Sequence, residues 1–319
     1  MTDFDPVAWQ PLPAPSLDAN HRLASAALWD IGTVGPEDVI VTDDGAAIVG
    51  AENGSILRVT ESSIEPIAQV GGRPMGLEWF GDDIVVCNAF AGLQLVSLTG
   101  SVTSLVTEFD DEPLLLTNNA SVASDGTIYF SDSSTRWDLD EYISDLLEGR
   151  PTGRVFRHRE GTTELVVDGL QFANGVALDP SGESLFIAET GHYRIHRHWL
   201  AGEAAGTTEL FVDNMPGYPD NLSMDGENLW VAMASPRQFV PDFIAPRPWM
   251  RSLAHRLPEA IKPKAVRHGM VFAYDLEGHI IHDLQDASGT VGITTGARHH
   301  DGRLFVGSLH DPHLAVLAL

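Results

Sequence analysis

Residues able to hold a hard cation recur at one spacing in this chain. Counting back seven positions from the turn residues Asp44, Asp82, Asp125, Ser181 and Asp301 reaches Glu37, Met75, Asn118, Asn174 and Thr294. A further copy is shorter: Asp220, followed by Asn221, lies five before Asp225. The set offers two carboxylates and several amide oxygens, with no histidine or thiolate among them. It suits Ca²⁺, which takes about six to eight oxygens and completes its shell with water. Zinc would require histidine or cysteine, and Mg²⁺ keeps more of its own waters. A polar plug held together by hydrogen bonds would use the same residue types.

Such residues meet only if the elements that carry them surround a common axis. Each lies just before a repeated text: an alternating apolar run, a tight turn, and a second apolar run. The copies are Val39–Val41 with Ala47–Val49, Leu77–Trp79 with Ile84–Val86, and the turns before Ile128–Phe130, Leu185–Ile187, Leu229–Val231 and Leu304–Val306. Asp-Gly or its equivalent between alternating runs is a strong hairpin signal, because the turn needs a positive φ that glycine adopts freely. Further strands follow most pairs, as in Ser55–Val59, Gly92–Val96 and Tyr193–Arg197. Strands repeated about every 40 to 70 residues are the signature of propeller blades. The expected fold is all-β: one six-bladed β-propeller over residues 1–319, its mouth ringed by the six positions above. The segment Arg22–Thr33 should supply the outer strand of the last blade and so remove an open edge. Two insertions interrupt the pattern, at about 133–153 and 234–267. The second is bounded by prolines and has helical apolar spacing, which predicts a partly helical lid. Its Phe239, Phe243, Ile244, Trp249, Met250, Leu253 and Leu257 are expected to pack on the propeller top or on an apolar substrate.

Composition narrows the setting. The 319 residues carry a formal charge of −26. A field of that sign repels phosphate backbones and anionic lipid, which argues against nucleic acid or a membrane surface as partner and leaves a small-molecule substrate. No apolar run reaches the roughly 18 to 20 residues of a membrane helix, and the first twenty residues do not read as a signal peptide. The single cysteine, Cys87, excludes a disulfide framework and fits a reducing, cytoplasmic location. No Gly-x-Ser-x-Gly elbow is present for a serine hydrolase. Gly71-Gly72-Arg73-Pro74 reads as a turn and not as a phosphate loop. His192, His196 and His198 read as a solvated strand face, and His299 and His300 adjoin the last turn.

Several motifs carry a family likeness. Asn174-Gly175-Val176-Ala177-Leu178-Asp179, Ala188-Glu189-Thr190, Arg194 to Leu200, Gly217-Tyr218-Pro219-Asp220-Asn221-Leu222 and His300 to Leu309 together resemble the strictosidine synthase-like family. The likeness runs from about Gly35 to the C-terminus. It places the chain in a wider propeller group with gluconolactonases, regucalcin and paraoxonases. The resemblance implies a catalytic Ca²⁺ held by Glu37, Asn118, Asn174 and Asp220. It also has departures. True strictosidine synthases use a glutamate near the start of the last blade, and residues 287–302 contain none. Met75-Gly76 replaces the His-Gly of paraoxonases, and Asn118-Asn119 replaces the usual Asn-Asp of the third blade.

The resulting expectation is a Ca²⁺-dependent hydrolase of lactones or related esters. Glu37, Asn118, Asn174, Asp220 and Asn221 would be metal ligands, and Asp220 would also act in the chemical step. Met75, Trp249, His268 and Thr294 would contact substrate. A non-catalytic binding propeller and a condensing enzyme of the strictosidine synthase kind are the alternatives, the second opposed by the missing glutamate.

Overall fold

The computed structural model describes residues 3–258, 262 and 264–319. Six four-stranded antiparallel sheets follow one another around an axis. Blade 1 contains Val39–Val41, Ala47–Gly50, Ser55–Val59 and Ile64–Gln69; blade 2 runs from Pro74 to Val106. Blade 3 begins at Thr117 and ends at Leu170, blade 4 covers Ala173 to Val212, and blade 5 covers Gly217 to Asp286. Blade 6 is built from Thr294–His300, Arg303–Ser308 and His313–Ala318, and its fourth strand is Ala27–Asp30. Ala27 pairs with Val316 and Asp30 with His313, so the two ends of the chain close the ring.

Alternation explains the packing. Each strand has two faces, and in a propeller both faces of an inner strand meet neighbouring blades. The inner strands are accordingly almost wholly apolar and buried, as in Ile84–Cys87 and Leu185–Ala188. Large rings fill the wedges that widen between blades: Phe130, Phe156, Phe186, Phe272, Phe305 and Trp230 are fully buried.

Both insertions leave a blade between its second and third strands, and therefore rise from the same end of the ring. In blade 3 the excursion after Asp132 contains the 3-10 turn Leu139–Glu141 and helix α1, Tyr142–Glu148. In blade 5 the second strand extends to Pro236, beyond the expected insertion start, and helices α2 (Phe239–Ile244) and α3 (Pro248–His255) follow. Positions 259–261 and 263 of this insertion lie outside the described residues. Helix α3 packs on α1, which joins the two excursions into one cap. Pro248 starts α3, where its missing N–H costs nothing. Gly149 ends α1 at a φ of 65°, its N–H closing on Asp145 O at 2.8 Å.

The N-terminal segment has a role the sequence reading did not assign. Residues 4–12 run across the cap as a strap, and residues 13–20 continue down onto blades 4 and 5. Val7 N donates to Glu148 O at 2.8 Å and Trp9 N to Ala245 O at 3.2 Å. Arg237 Nη2 donates to Leu12 O at 2.7 Å, and Phe4 stacks on His255 with ring centroids 4.0 Å apart. Among the described residues no helix is long and apolar enough to cross a membrane.

Ring closure has a measurable consequence. A chain starting at Gly35 lacks both the strap and the strand Ala27–Asp30, and so bares the edge His313–Ala318. Its thermal transition should broaden and fall by well over ten degrees, with aggregation on heating, since an uncovered edge recruits other strands. A truncated chain that melts as sharply and as high as the full one would show that closure is dispensable.

Candidate metal centre at the propeller mouth

The ring is built at the first residues of the inner strands, where six chains converge. Blades 1 to 6 present Glu37-Asp38, Met75-Gly76, Asn118-Asn119, Asn174-Gly175, Asp220-Asn221 and Thr295-Gly296 in turn. The second member of each pair alternates between a polar side chain and glycine. The reason is space. A Cβ on Gly76 would stand 2.5 Å from Asn119 Cα, one on Gly175 2.5 Å from Asp220 O, and one on Gly296 2.9 Å from Glu37 O. Every other blade must lack a side chain there for its neighbours to reach the axis.

The polar members tie the blades together. Asp38 Oδ2 accepts Leu77 N at 3.0 Å and Asn119 Nδ2 at 3.3 Å, while Asn119 Oδ1 accepts Val176 N at 2.9 Å. Thr295 Oγ1 donates to Glu37 O at 2.6 Å. Asn221 Nδ2 donates to both Glu37 oxygens, at 3.1 and 3.0 Å. Ser133 Oγ accepts from Asn118 Nδ2 at 3.0 Å and itself donates to Ala173 O at 2.6 Å.

The first members face one cavity of about 150 Å³, whose floor includes Glu37, Asn118, Asn174, Asp220 and Thr295. Glu37 and Asp220 are buried together. Burial pushes the Glu37 carboxyl well above its ordinary range, and the charge of Asp220 raises it further. Burial likewise raises Asp220, offset in part by a hydrogen bond from Asn174. The amide oxygens of Asn118, Asn174 and Asn221 are buried without a hydrogen-bond partner among the described residues. Each such orphan costs about 1–3 kcal/mol. Two facing carboxylates and two orphaned oxygens at the cavity floor, with a third orphan on Asn221 behind Glu37, are an unfavourable arrangement for a bare protein. One hard cation relieves both problems at once, so the residues fit Ca²⁺. Among the described residues no cluster of three or more histidine, cysteine, aspartate or glutamate side chains is arranged to hold a metal. The ring escapes that pattern because amides supply most of its oxygens.

Other sequence expectations fall elsewhere. Met75 lines the cavity, but Thr294 does not. Thr294 is fully buried between blades, its hydroxyl 2.9 Å from the carbonyls of Met233 and Met270, and Thr295 takes the ring position. The slip arises from the turn. Phe80 pairs with Asp83 around Gly81-Asp82, whereas His300 pairs with Arg303 around Asp301-Gly302, so the aspartate is second in one loop and first in the other. His268 lies outside the cavity wall with Nε2 3.0 Å from Gln285 Oε1. Trp249 is 68% exposed at the start of α3 and does not reach the cavity. Phe239 and Leu253 also face solvent, while Ile244 alone of the expected apolar set enters the wall. Helix α3 turns Arg251 and not Trp249 toward the propeller. His192 and His196 are not a solvated face: each bonds the buried Glu189 carboxylate at 2.6 Å, with Arg194 Nε at 2.5 Å. His299, near the far end of its strand, bonds Asp225 at the far end of the first strand of blade 5, away from the mouth.

Sequence reasoning missed most of the wall. Trp9 comes from the strap, Leu139, Tyr142 and Leu146 from the blade 3 excursion, and Tyr193 and Tyr218 from blades 4 and 5. The aromatic Tyr218, two residues before Asp220, was the one available signal.

Helix α1 is seated by a buried acid. Asp145 receives a hydrogen bond from Ser134 Oγ and one from Gln171 Nε2 at 3.2 Å. Burial pushes its pKa up to about 7. The folded state thus favours the proton, and this contribution is full below the usual carboxylate range and lost as pH rises through about 7. Asp145→Asn should therefore hold its melting temperature between pH 5 and pH 8 better than the wild type. Parallel melting curves for the two proteins would rule out Asp145 as the titrating group.

The metal fit has its own test. Chelation should lower the melting temperature, and added Ca²⁺ should restore it by mass action. Glu37→Gln should lose that calcium response while keeping a cooperative transition. A wild type indifferent to both chelator and calcium would contradict the fit.

Comparison with known proteins agrees with the propeller fold. The profile of strictosidine synthase matches residues 118–203, and that of the strictosidine synthase-like N-terminal region matches 16–59. The chain is 32% identical to the adipocyte plasma membrane-associated protein of Salmo salar, covering 97% of this chain and 82% of that one. It is 32% identical to the strictosidine synthase-like 6 protein of Arabidopsis thaliana, with 96% and 85% covered. Among solved structures it superimposes on a gluconolactonase from Xanthomonas campestris with a TM-score of 0.67 at 17% identity, covering 93% and 91%. The calcium-binding protein regucalcin from Agrobacterium tumefaciens matches with a TM-score of 0.65 at 15% identity, covering 92% and 93%.

Proposed function

Because the chain belongs to the strictosidine synthase-like family, with a mouth of this composition, we propose that it is a Ca²⁺-dependent hydrolase of lactones or related esters. One observation carries the reading: two buried carboxylates and the unpartnered amide oxygens of Asn118 and Asn174 converge at the floor of a largely apolar cavity, with Asn221 bonded to Glu37 behind them. The folds shared with a gluconolactonase and with a protein described as calcium-binding support it. So does the absence of any glutamate from residues 287–302, which leaves the condensing chemistry of strictosidine synthases without its proton-transfer group.

Glu37, Asn118, Asn174, Asp220 and Asn221 would hold the ion. Bound there, calcium supplies a Lewis acid for a carbonyl oxygen at the cavity floor. The remaining work belongs to the chain. Met75, Phe172, Leu146 and Ile244 exclude water from the hydrocarbon part of the substrate and orient it against the floor. Glu37 and Asp220 are the carboxylates in the cavity wall among the described residues. Both Glu37 oxygens are engaged by Asn221. Asp220 is therefore the group placed to act. It takes a proton from the attacking water as the new C–O bond forms, and returns it to the leaving oxygen as the old C–O bond breaks.

A panel of γ- and δ-lactones and aryl esters should show calcium-dependent turnover. Asp220→Asn should lower kcat by at least about a hundredfold, the usual size of a lost general base. No turnover across the panel, with calcium shown to bind, would favour a non-catalytic binding propeller. Condensation of tryptamine with an aldehyde should not occur, and its detection would overturn the assignment.

A further inference from the structure

The cap contributes a cation to the cavity that has no anion of its own. Arg251, on α3, is 6% exposed and lines the cavity. Its Nη1 donates to two backbone carbonyls, Val7 O at 2.7 Å and Glu148 O at 3.2 Å. Among the described residues it makes no ion pair, and the carboxylates around it are already taken. Glu148 is held by Arg136 at 2.7 and 2.8 Å and by Trp137 Nε1 at 2.9 Å. Asp242 is held by Arg237 at 3.1 and 2.8 Å and by the Tyr193 hydroxyl at 3.0 Å. Arg73, also deeply buried, lies in the field of Glu37 and Glu52, and the buried side chain of Arg237 is paired with Asp242, whereas the groups that favour the charge of Arg251 are the phenols of Tyr193 and Tyr218.

Arginine is rarely buried without a counter-charge, because desolvating the guanidinium is repaid only by a well-placed partner. The chain spends two backbone carbonyls on one nitrogen and leaves the rest of the group to the cavity wall. We propose that Arg251 recognises a carboxylate carried by the ligand. The planar donor fork suits a carboxylate, which it can grip with two parallel bonds. A dianionic phosphate is a poorer match: among the described residues Arg251 is the one buried cation in the lining, Lys264 being exposed to solvent, and two negative charges would face it with Glu37 and Asp220 in the same cavity. The ligand class is therefore an apolar molecule with one carboxylate on the cap side. Its identity as a substrate, an ester or lactone bearing that carboxylate away from the scissile carbonyl, rests on the hydrolase reading; the binding of the carboxylate does not.

The test measures binding without turnover and without calcium, so that no carboxylate is drawn to the metal. Hexanoate and hexanamide are titrated calorimetrically into the full chain in the presence of chelator. The wild type should bind hexanoate at least about tenfold more tightly than hexanamide, the scale of one charge-assisted pair. Arg251→Gln should bind both with the affinity of hexanamide. Equal binding of the two by the wild type, or a hexanoate preference that survives in Arg251→Gln, overturns the proposal. If Arg251→Gln does not fold, a hexanoate complex of the wild type decides: its carboxylate lies on the guanidinium, or the proposal fails. A protein that prefers hexanoate yet hydrolyses nothing keeps this inference and loses the hydrolase reading. An active hydrolase with no such preference does the reverse.

Discussion

Six inner strands can approach one axis only if their side chains take turns. The alternation of Gly76, Gly175 and Gly296 with Asp38, Asn119 and Asn221 is the form that constraint takes here. Where glycine stands, the neighbouring backbone comes close enough to forbid a Cβ. Where a polar side chain stands, it spans the gap and bonds the next blade, as Asn119 does to Val176. The ring of first members is set by this belt beneath it. Its diameter and the direction of its side chains follow from backbone contacts, so Glu37, Asn118, Asn174 and Asp220 are held before any ligand arrives. That is preorganisation in the physical sense: the cost of gathering the donors is met by folding the propeller.

The cap depends on the same geometry at one remove. Both excursions leave between the second and third strands of their blades, and that junction lies at the end where the first strands begin. Long insertions at these junctions necessarily overhang the ring. Neither excursion is large enough to bury its own apolar residues, so each leans on the other through α1 and α3, and the strap crosses both. Arg251 sits where the three meet, bonded to the strap at Val7 and to the end of α1 at Glu148. The cavity wall is thus assembled from segments far apart in sequence, while the floor comes from a strict repeat.

That difference decides what was legible in the sequence. The repeat exposed the fold, the blade number, the strand that closes the ring and five of the six floor positions, because a fixed spacing in each copy fixes a fixed place in space. Thr295 was missed for Thr294 because the count was anchored on turn aspartates, and hairpin loops place that residue first or second without moving the strand. The wall had no such ruler. His268 and Trp249 were singled out by residue type and by nearness to the insertion, and neither property says which way a helix turns. The strap was invisible for a related reason: an acidic, proline-punctuated stretch makes no periodic pattern, and its contacts are largely backbone hydrogen bonds to a cap that had not been placed.

Charge sets the composition of the donor set. With a divalent ion bound, two carboxylates would leave a centre that is neutral overall, and the amides would add coordination without adding charge. A third carboxylate would tighten binding but would also quench the field that a carbonyl oxygen must feel, and it would add another buried anion to a pair already raised by burial and mutual repulsion. Fewer than two would leave an uncompensated cation beneath an apolar cavity. The chain carries 45 acidic residues, so the scarcity of carboxylates at the mouth is not a matter of supply. Most of the acids lie outside the buried interior, where water screens them, and the mouth is furnished with asparagine. Arg251 extends the same accounting to the cap. With a divalent ion at the floor and Arg251 above it, the cavity would have a net positive interior inside a strongly negative protein, an environment that favours a monoanion with an apolar body.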